Sequence, residues 1–415
     1  MDLRGRSERF IRVGTDGDPA RYQAESYDST RLEWTMLYAR SSKVVPQECK
    51  LLSLHLGARA FLYVFLKERM TKMYIANAIK KLADGQHLSE NESYQAISEV
   101  MSGDANEIQI AGLLMALRIK GETVEEITGG AKALCERANR INPKVALCVD
   151  PVGTGGDGNN TFNISSTAAL VAAAAGANVA KHGNRSISSR SGSADFYEAM
   201  GFNITLSPAA VEKCVEDLGF GFMFAPTFHP AMRFAGPVRR TLAVRNIFNV
   251  LGPLSNPAGA KAQVLGVYDR SMMPFIAQTL QRLGEQHALV VHAEDGSDEI
   301  TNTGMTYIME VRPDHIEEYT ITPDMFGMPT YSLSDIVGGT PEENAEISAR
   351  IFEGEKGPHR DIVVLNAAAT IYVAGLTETF PEAILKAEDA LDSGAVKAKI
   401  EQIRVFTNRE EIVTM

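Results

Sequence analysis

The chain has 415 residues, of which 45% are hydrophobic and 22% charged, and its formal net charge at pH 7 is -11. This length allows two domains with buried cores, and the composition is that of an ordinary globular protein. The negative charge argues against a protein that binds nucleic acid mainly through phosphate contacts, whereas a local basic pocket could still hold a small phosphorylated ligand.

Three further features concern the cellular compartment. The four cysteines lie far apart and lack the spacing of a metal site, which favours reduced, idle thiols. The apolar run at 51–66 contains His55 and Arg59 and is shorter than the ~20 residues of a spanning helix. The charged opening of the chain is unlike a secretory signal. We therefore expect a cytoplasmic protein without a membrane segment.

The first 72 residues differ in texture from the rest. They mix arginine, serine, glycine and aspartate without sustained periodicity, and the pattern changes abruptly at Met73. We expect 1–72 to be a poorly ordered extension, or to lie upstream of a natural start at Met70 or Met73. Residues 73–142 predict an all-helical domain of four short amphipathic helices, in which Ser89 and Glu92 form a capping box.

Residues 143–415 alternate between strands and helices. Candidate strands are ALCVDPV, NVAK, FGFMFA, KAQVLGVY, HALVVHA and MTYIMEV, and helices such as STAALVAAAAGA and MPFIAQTLQRLG lie between them. This alternation predicts an α/β domain with a mostly parallel central sheet flanked by helices. We expect part of 229–257, which interrupts the rhythm, to pack on the helical domain. The apolar run DIVVLNAAATIYVAGL predicts a buried core helix.

The stretch GTGGDGNNTFNIS at 153–165 has glycines at the spacing G-x-G-x-x-G, which is typical of dinucleotide-binding loops. In such loops a helix follows at once and an acidic residue ends the second strand. Here the helix is delayed, and the next strand end carries Lys181, His182 and Arg185. A dinucleotide with an additional phosphate remains an alternative. The loop is not a P-loop, because no Gly-Lys-Ser/Thr follows.

The loop leads into a helix start that favours an anion, because free N–H groups and the helix dipole point at it. The polar residues there are Asn163, Ser165, Ser166 and Thr167. Taken alone, an ordinary glycine turn with an N-cap remains the alternative. Lys181 favours a ligand with several phosphates, since the ends of parallel strands meet at one edge of a sheet.

Many phosphate oxygens usually bring Mg²⁺, which takes carboxylates and hydroxyls as ligands. Asp298 and Glu299 are adjacent acids just beyond the predicted strand HALVVHA, in the loop EDGSDEIT. They are candidate metal ligands, and a solvated acidic loop is the alternative.

Six motifs in this order are similar to those of the anthranilate phosphoribosyltransferase family. They are GTGGD (153–157), NIS (163–165), KHGNR (181–185), SGSAD (191–195), VRNIFNVLGPLSNP (244–257) and DGSDEIT (295–301). The resemblance runs from about Met73 to the C-terminus. It implies a small helical domain on a larger α/β domain and a homodimer formed through the helices.

The activity that the resemblance implies is transfer of phosphoribosyl from 5-phosphoribosyl 1-pyrophosphate (PRPP) to anthranilate, in tryptophan biosynthesis. The implied cofactor is Mg²⁺, with two ions per monomer, and a partnership with anthranilate synthase is left open. Departure of pyrophosphate leaves an oxocarbenium-like centre, and the acceptor amine is neutral near pH 7. We therefore expect charge stabilisation by Lys181 and Mg²⁺ rather than an acid, a base or a nucleophile.

The resemblance also implies roles for individual residues. For PRPP they are Gly153, Gly156, Asp157, Asn163, Ser165, Ser166, Lys181 and Ser193. For anthranilate they are Gly153, Asn184, His182 and Arg245, whose planar guanidinium suits a carboxylate. For the metal they are Ser165, Asp298 and Glu299. The neighbouring Arg233, Arg239 and Arg240 are interpreted as solvated helix charges.

Three other functions share parts of this sequence pattern. A pyrimidine-type nucleoside phosphorylase is disfavoured by the intact KHGNR and by Arg245. A non-catalytic nucleic-acid-binding paralogue is disfavoured by the net charge and the metal acids, and a dinucleotide oxidoreductase by the missing strand-end acid. The sequence departs from the family pattern at Ala293 and Ser297, where we expect Gly and Leu, and 1–72 has no counterpart in it.

Overall fold

The computed structural model describes residues 73–156, 158–186 and 190–414. The predicted extension at 1–72 lies outside them. The described part begins with four helices that pack as a bundle around Leu113, Leu114 and Ile127, all of them buried. These helices are α1 (Tyr74–Ala83), α2 (Glu90–Met101), α3 (Glu107–Lys120) and α4 (Val124–Arg137).

The short bundle helices are held by side-chain caps at their first turns. Ser89 Oγ accepts a hydrogen bond from the N–H of Glu92 (3.3 Å), and Glu92 Oε2 accepts one from the N–H of Ser89 (2.8 Å). The predicted capping box of α2 is thus confirmed, and α3 and α4 begin with the same arrangement. Each cap satisfies donors that the helix itself leaves unpaired.

The second domain is built on a seven-stranded sheet with the order β3-β2-β1-β4-β5-β6-β7. The pairs among β3, β2, β1, β4 and β5 are parallel, and β6 and β7 add antiparallel pairs at one edge. The strands are β1 (Cys148–Gly153), β2 (Asn178–Gly183), β3 (Phe220–Phe224), β4 (Ala262–Gly266), β5 (His287–Ala293), β6 (Thr306–Val311) and β7 (Ile316–Ile321). The predicted fold class is therefore confirmed.

The last strand, β7, was missed by the sequence analysis. Its residues Glu317 and Glu318 are exposed, as befits charged positions on an edge strand. The segment therefore lacks the apolar run by which the buried parallel strands were recognised.

Helices cover both faces of the sheet. The apolar helix Pro358–Val373 is buried along most of its length, as predicted, and packs against the helix Ile164–Ala174. The remaining helices are α5 (Ile164–Ala174), α6 (Ser193–Ala199), α7 (Pro208–Leu218), α8 (Ala225–Phe228), α9 (Gly236–Leu242), α10 (Phe248–Leu251), α11 (Met273–Arg282), α12 (Pro341–Phe352), α13 (Pro358–Val373), α14 (Phe380–Asp392), α15 (Ala395–Thr407) and α16 (Glu410–Val413). In the described residues no helix has the length and apolar character needed to cross a membrane.

The strand order reverses at β1, which has β2 on one side and β4 on the other. In open α/β sheets, ligands bind beyond the carboxyl ends of the strands at such a reversal. β1 ends at Gly153, so this position coincides with the glycine-rich loop.

The two neighbours of β1 pair with it over different lengths. The β1–β4 ladder runs to the end of β1, where Gly153 lies opposite Gly266. The β1–β2 ladder stops at Val149 and Val179. Two residues later β1 contains Pro151, which has no N–H to donate to a neighbouring strand. The carboxyl ends of β1 and β2 are therefore not hydrogen-bonded to each other in a ladder.

The segment 229–257 contains α9 and α10 and shares a hydrophobic core with the bundle. Val238 of α9 and Leu251 of α10 are buried in the same cluster as Leu113 and Leu117 of α3. This segment therefore reaches from the helical domain to the sheet.

Candidate active site

The glycines that end β1 and β4 leave room for the acidic loop that follows β5. A Cβ atom at Gly153 would lie 2.3 Å from Asp298 Oδ2, and one at Gly266 would lie 1.6 Å from the backbone oxygen of Asp298. Both distances are far inside van der Waals contact, so a side chain at Gly153 would displace the Asp298 carboxylate and one at Gly266 would displace the loop backbone. Asp298 is thereby brought across the carboxyl ends of the two central strands.

Backbone amides of the glycine loop and of helix α5 contact the two acids. The Gly155 N–H donates to Asp298 Oδ2 (2.6 Å), and the Ser165 N–H donates to Glu299 Oε1 (3.1 Å). Ser165, Asp298 and Glu299 line one small cavity over Pro151 and Gly266. The structure thus brings together the three residues that the sequence analysis named for the metal.

The donors around this cavity suit a magnesium ion. Two carboxylates and a hydroxyl provide oxygen ligands, and Mg²⁺ is usually held by one or two carboxylates together with phosphate oxygens and water. The described residues contain no cluster of three or more His, Cys, Asp or Glu side chains that could hold a metal. Phosphate oxygens and water molecules would complete the coordination of an ion held by these residues.

Lys181 approaches the same cavity from β2. Its side chain is only 2% exposed, and Nζ donates to the carbonyl of Pro151 and lies 3.5 Å from Ser165 Oγ. Burial lowers the pKa of Lys181, while the negative charge of Asp150, followed by Glu299 and Asp298, opposes that effect. The buried Lys181 beside the cavity lined by Ser165, Asp298 and Glu299 is the main electrostatic feature of the site.

Two residues that the resemblance assigned to PRPP have other surroundings, and a third is not described. The side chain of Asn163 is occupied, since Oδ1 accepts hydrogen bonds from Ser191 Oγ and Asn344 Nδ2, both at 2.8 Å. Ser166 is buried and is not among the residues that line the cavity. Asp157 lies outside the described residues.

Asn184 and Ser193 lie together at the end of β2. Ser193 Oγ donates to the Asn184 carbonyl (3.4 Å), and Asn184 itself is exposed. Arg185 fixes this turn through ion pairs with Asp195 (2.6 Å) and Glu198 (2.8 Å). The guanidinium of Arg185 is therefore held by two carboxylates of the protein.

Arg245 is exposed and lies against the glycine loop. Its guanidinium donates to the carbonyl of Gly156 and stacks 3.8 Å above the centroid of the Tyr268 ring. Ala243, just before it, adopts a left-handed conformation with φ 49°, which turns the chain sharply after α9. Arg245 thus has the planar group expected for a carboxylate, next to the loop.

The interpretation of Arg239 as a solvated helix charge is wrong. Arg239 is partly buried, burial lowers its pKa, and its guanidinium lies 5.5 Å from the centroid of the Phe248 ring. Among the described residues no carboxylate contributes to the pKa of Arg239, whose shift is caused by burial. A desolvated guanidinium without an anion is a candidate anion site, but the sequence VRRTLAVR did not distinguish it from its neighbours.

His182 is buried rather than exposed at an opening. Its ring contacts that of His229 at 4.9 Å between centroids. Burial lowers the pKa of His182 to about 3 and that of His229 to about 4, so both rings are neutral at pH 7. His229 Nε2 bonds to the Ser255 carbonyl at 3.0 Å, which makes that nitrogen the protonated one.

The sequence analysis missed Asp150, which is completely buried beneath the site. Its burial raises its pKa to about 6, while the nearby Lys181 opposes that shift. The only available signal was an aspartate in the middle of an apolar strand, ALCVDPV, where a charged residue is rarely buried without a partner.

The comparisons with known proteins agree with this architecture. A model for the helical bundle domain of a glycosyl transferase family matches residues 76–138, and the model for the α/β domain of that family matches 146–397. The anthranilate phosphoribosyltransferase of Acetivibrio thermocellus is 50% identical over 334 residues, which cover 80% of this chain and 97% of that protein.

Two solved structures are similar to the chain. The anthranilate phosphoribosyltransferase of Thermus thermophilus has 44% sequence identity and a TM-score of 0.77, covering 80% of this chain and 99% of that one. The enzyme of Saccharomyces cerevisiae in complex with PRPP and Mg has 28% identity and a TM-score of 0.74, covering 80% and 97%. The resemblance noted in the sequence is confirmed.

Proposed function

Because the chain belongs to the anthranilate phosphoribosyltransferase family, we propose that it transfers the phosphoribosyl group of PRPP to anthranilate, giving N-(5-phosphoribosyl)anthranilate and pyrophosphate. This reaction is the second step of tryptophan biosynthesis from chorismate. One observation carries the proposal: the buried Lys181 and the acids Asp298 and Glu299 converge where the strand order reverses.

On the donor side, Lys181 would neutralise the pyrophosphate as it leaves. Gly153, Gly156 and the start of α5 would accept the sugar-phosphate closely, because bare backbone there admits oxygens to the N–H groups. Ser165 would hold one Mg²⁺, and Asp298 with Glu299 a second, giving two ions per monomer. Bound there, the ions would neutralise negative charge on the pyrophosphate.

On the acceptor side, the carboxylate of anthranilate needs a guanidinium. Arg245 is available next to the loop, and Arg239 is desolvated without an anion partner among the described residues. We infer that the acceptor uses the segment that carries both, together with Asn184. The aromatic amine is neutral near pH 7, so the protein only has to align its lone pair with the ribose carbon.

The test is the decay of anthranilate fluorescence on mixing the protein with PRPP and Mg²⁺. The decay should require all components, and the KM for anthranilate should rise at least about tenfold in whichever of Arg239→Ala and Arg245→Ala removes the anchor. Arg240→Ala, an exposed neighbour on α9, is the matched control. No decay with folded protein would refute the function, and a nucleoside with inorganic phosphate would then be tested.

We also infer a homodimer formed through the helical domain. Ile108 and Ile119 on α3 are 84% and 79% exposed, and eleven residues of helix return them to the same face. Tyr74 of α1 is a further exposed aromatic residue in this domain. Light scattering should give a dimer mass for the parent and a monomer mass for Ile108→Lys/Ile119→Lys, whereas a dimeric double variant would exclude this face.

We place the protein in the cytoplasm. Cys135, Cys148 and Cys214 are free thiols, and none of the described cysteines forms a disulfide. Free buried thiols are typical of a reducing compartment. Fractionation of the source cells should recover the enzyme with the soluble fraction, and recovery with membranes would contradict this inference.

A further inference from the structure

Because the carboxyl ends of β1 and β2 are not paired, two backbone groups of β2 lack a partner on β1, namely the carbonyl of Ala180 and the N–H of His182. Continuing the register of Cys148 with Asn178 and Val149 with Val179 would place Pro151 opposite Lys181. In a parallel ladder the N–H of residue 151 would then bond to the carbonyl of Ala180, and its carbonyl to the N–H of His182. Proline cannot make the first bond, and the ladder is not continued.

Two side chains take over these backbone groups. Asp150 Oδ1 accepts the N–H of His182 (3.2 Å), and Asn256 Nδ2 donates to the carbonyl of Ala180 (2.8 Å). Asn256 Nδ2 also donates to Asp150 Oδ2 (2.7 Å), so the two side chains form one unit, which we call the Asp150–Asn256 clamp. Asp150 is 0% exposed and Asn256 9% exposed.

The clamp holds the residues on both sides of Lys181. Ala180 precedes Lys181 and His182 follows it, and each is fixed by one member of the clamp. With its flanking peptides fixed, the Lys181 side chain is directed into the gap, where Nζ meets the Pro151 carbonyl and approaches Ser165. A lysine side chain has several rotatable bonds, so its ammonium group takes a defined position only if the backbone from which it extends is fixed.

The clamp also joins the two halves of the site. Asn256 belongs to the segment 229–257, whose Arg239 and Arg245 are the candidate acceptor residues, whereas Asp150 and Lys181 belong to the sheet. Asn256 Oδ1 also accepts the N–H of Ala258 (2.8 Å), which holds the turn at the carboxyl end of this segment. The lysine and the acceptor segment thus share one anchor.

We propose that Asp150 and Asn256 are positioning residues that act as a unit to set Lys181 for the pyrophosphate of PRPP. The proposal rests on the function proposed above for Lys181. Neither residue is required to touch the substrate. The buried charge of Asp150 is retained at this place because it serves the lysine as a nearby counter-charge as well as a hydrogen-bond acceptor.

The test measures PRPP binding in the presence of Mg²⁺ by isothermal titration calorimetry. Asp150→Asn presents an amide donor to Asn256, and Asn256→Ala leaves Asp150 and Ala180 without their donor. We expect each to weaken PRPP binding about tenfold, and the double variant to be no weaker than the worse single variant, because the two act together. The KM for PRPP should rise in parallel with the dissociation constant.

A matched control separates positioning from stability. Glu310 is another buried carboxylate of the sheet, 8% exposed, which accepts hydrogen bonds from His287 (2.9 Å) and Tyr372 (3.0 Å) near the opposite ends of the strands. Glu310→Gln should lower the melting temperature but leave PRPP affinity unchanged. Equal loss of PRPP affinity in this variant would overturn the proposal, as would unchanged affinity in a folded Asp150→Asn or Asn256→Ala.

Lys181→Met distinguishes failure of the clamp from failure of the function. If Lys181→Met weakens PRPP binding but Asn256→Ala does not, the lysine role stands and the clamp is refuted. If Lys181→Met binds PRPP like the parent, the role of the lysine fails first. Should Asp150→Asn not fold, Asn256→Ala decides the matter alone, because it removes the shared donor and leaves the Asp150 carboxylate in place.

Discussion

Replacing Gly266 by alanine should displace the acidic loop from the strand ends. A Cβ at this position would lie 1.6 Å from the backbone oxygen of Asp298 and 2.4 Å from its carbonyl carbon. Since carbon and oxygen in ordinary contact stay about 3.4 Å apart, the loop has to move by about 1.8 Å. The clash is with backbone, so no rotation of a side chain can relieve it.

The expected effect on activity is large and the effect on folding moderate. A misplacement of about 1 Å can cost 10²-fold in rate, so we expect kcat/KM for PRPP to fall about 10²-fold. The overpacking itself should cost about 1–3 kcal/mol of the free energy of unfolding. Because Asp298 and Glu299 move with the loop, the Mg²⁺ concentration that gives half-maximal rate should rise as well.

The assay is anthranilate fluorescence at varied PRPP and Mg²⁺, with thermal unfolding measured on the same preparations. Gly112→Ala is the matched control, since a Cβ there would meet Ile79 at an ordinary 3.5 Å. A folded Gly266→Ala protein that retains kcat/KM within about threefold would refute the reasoning. A similar loss in Gly112→Ala would attribute the effect to general destabilisation.

Three further predictions address stability and reactivity. Ser89→Ala removes the cap of α2 and should cost about 1 kcal/mol in urea unfolding with unchanged kinetics, whereas no measurable loss would contradict the capping argument. His229 has a pKa of about 4 in the folded protein, below its value in the unfolded chain, so unfolding takes up a proton and the free energy of unfolding falls as the pH drops from about 6.5 towards 4. His229→Gln should therefore lose less stability than the parent between pH 7 and pH 5, and equal losses would contradict this. Burial raises the pKa of Cys148 to about 11 and that of Cys214 to about 12. In a Cys49→Ser/Cys135→Ser chain both should resist a disulfide reagent at pH 8 until the protein unfolds, and rapid labelling of the native chain would contradict this.

The sequence predicted those parts of the fold that rest on local patterns. Capping residues, apolar runs and glycine spacing are near neighbours in the chain, so the bundle, six of the strands and the core helix α13 could be recognised. The edge strand β7 could not, because Glu317 and Glu318 occupy positions that need no apolar side chain.

The residues of the site that belong to sequence motifs could be predicted, whereas those whose role depends on how deeply they are buried could not. Lys181, Ser165, Asp298 and Glu299 were named from motifs, and the structure brings them together. The difference between Arg239 and its neighbours depends on which face of α9 is covered, which is a property of tertiary packing.

The clamp depends on three segments that are distant in the chain. Asp150 and Asn256 are 106 residues apart, and no local pattern links them. Such a contact follows from the order of strands in the sheet, which the sequence analysis predicted only as mostly parallel.

Pro151 has a consequence for how this enzyme would respond to selection for heat resistance. A residue with an N–H at position 151 could donate to the second lone pair of the Ala180 carbonyl, which already accepts from Asn256, and this ladder bond would contribute about 0.5–1.5 kcal/mol. The same change would draw β2 against β1 and close the gap that admits Lys181. A library screened for thermal stability alone should therefore enrich replacements of Pro151. Cells that depend on the most heat-resistant of these variants would lack the activity and would grow only when tryptophan is supplied.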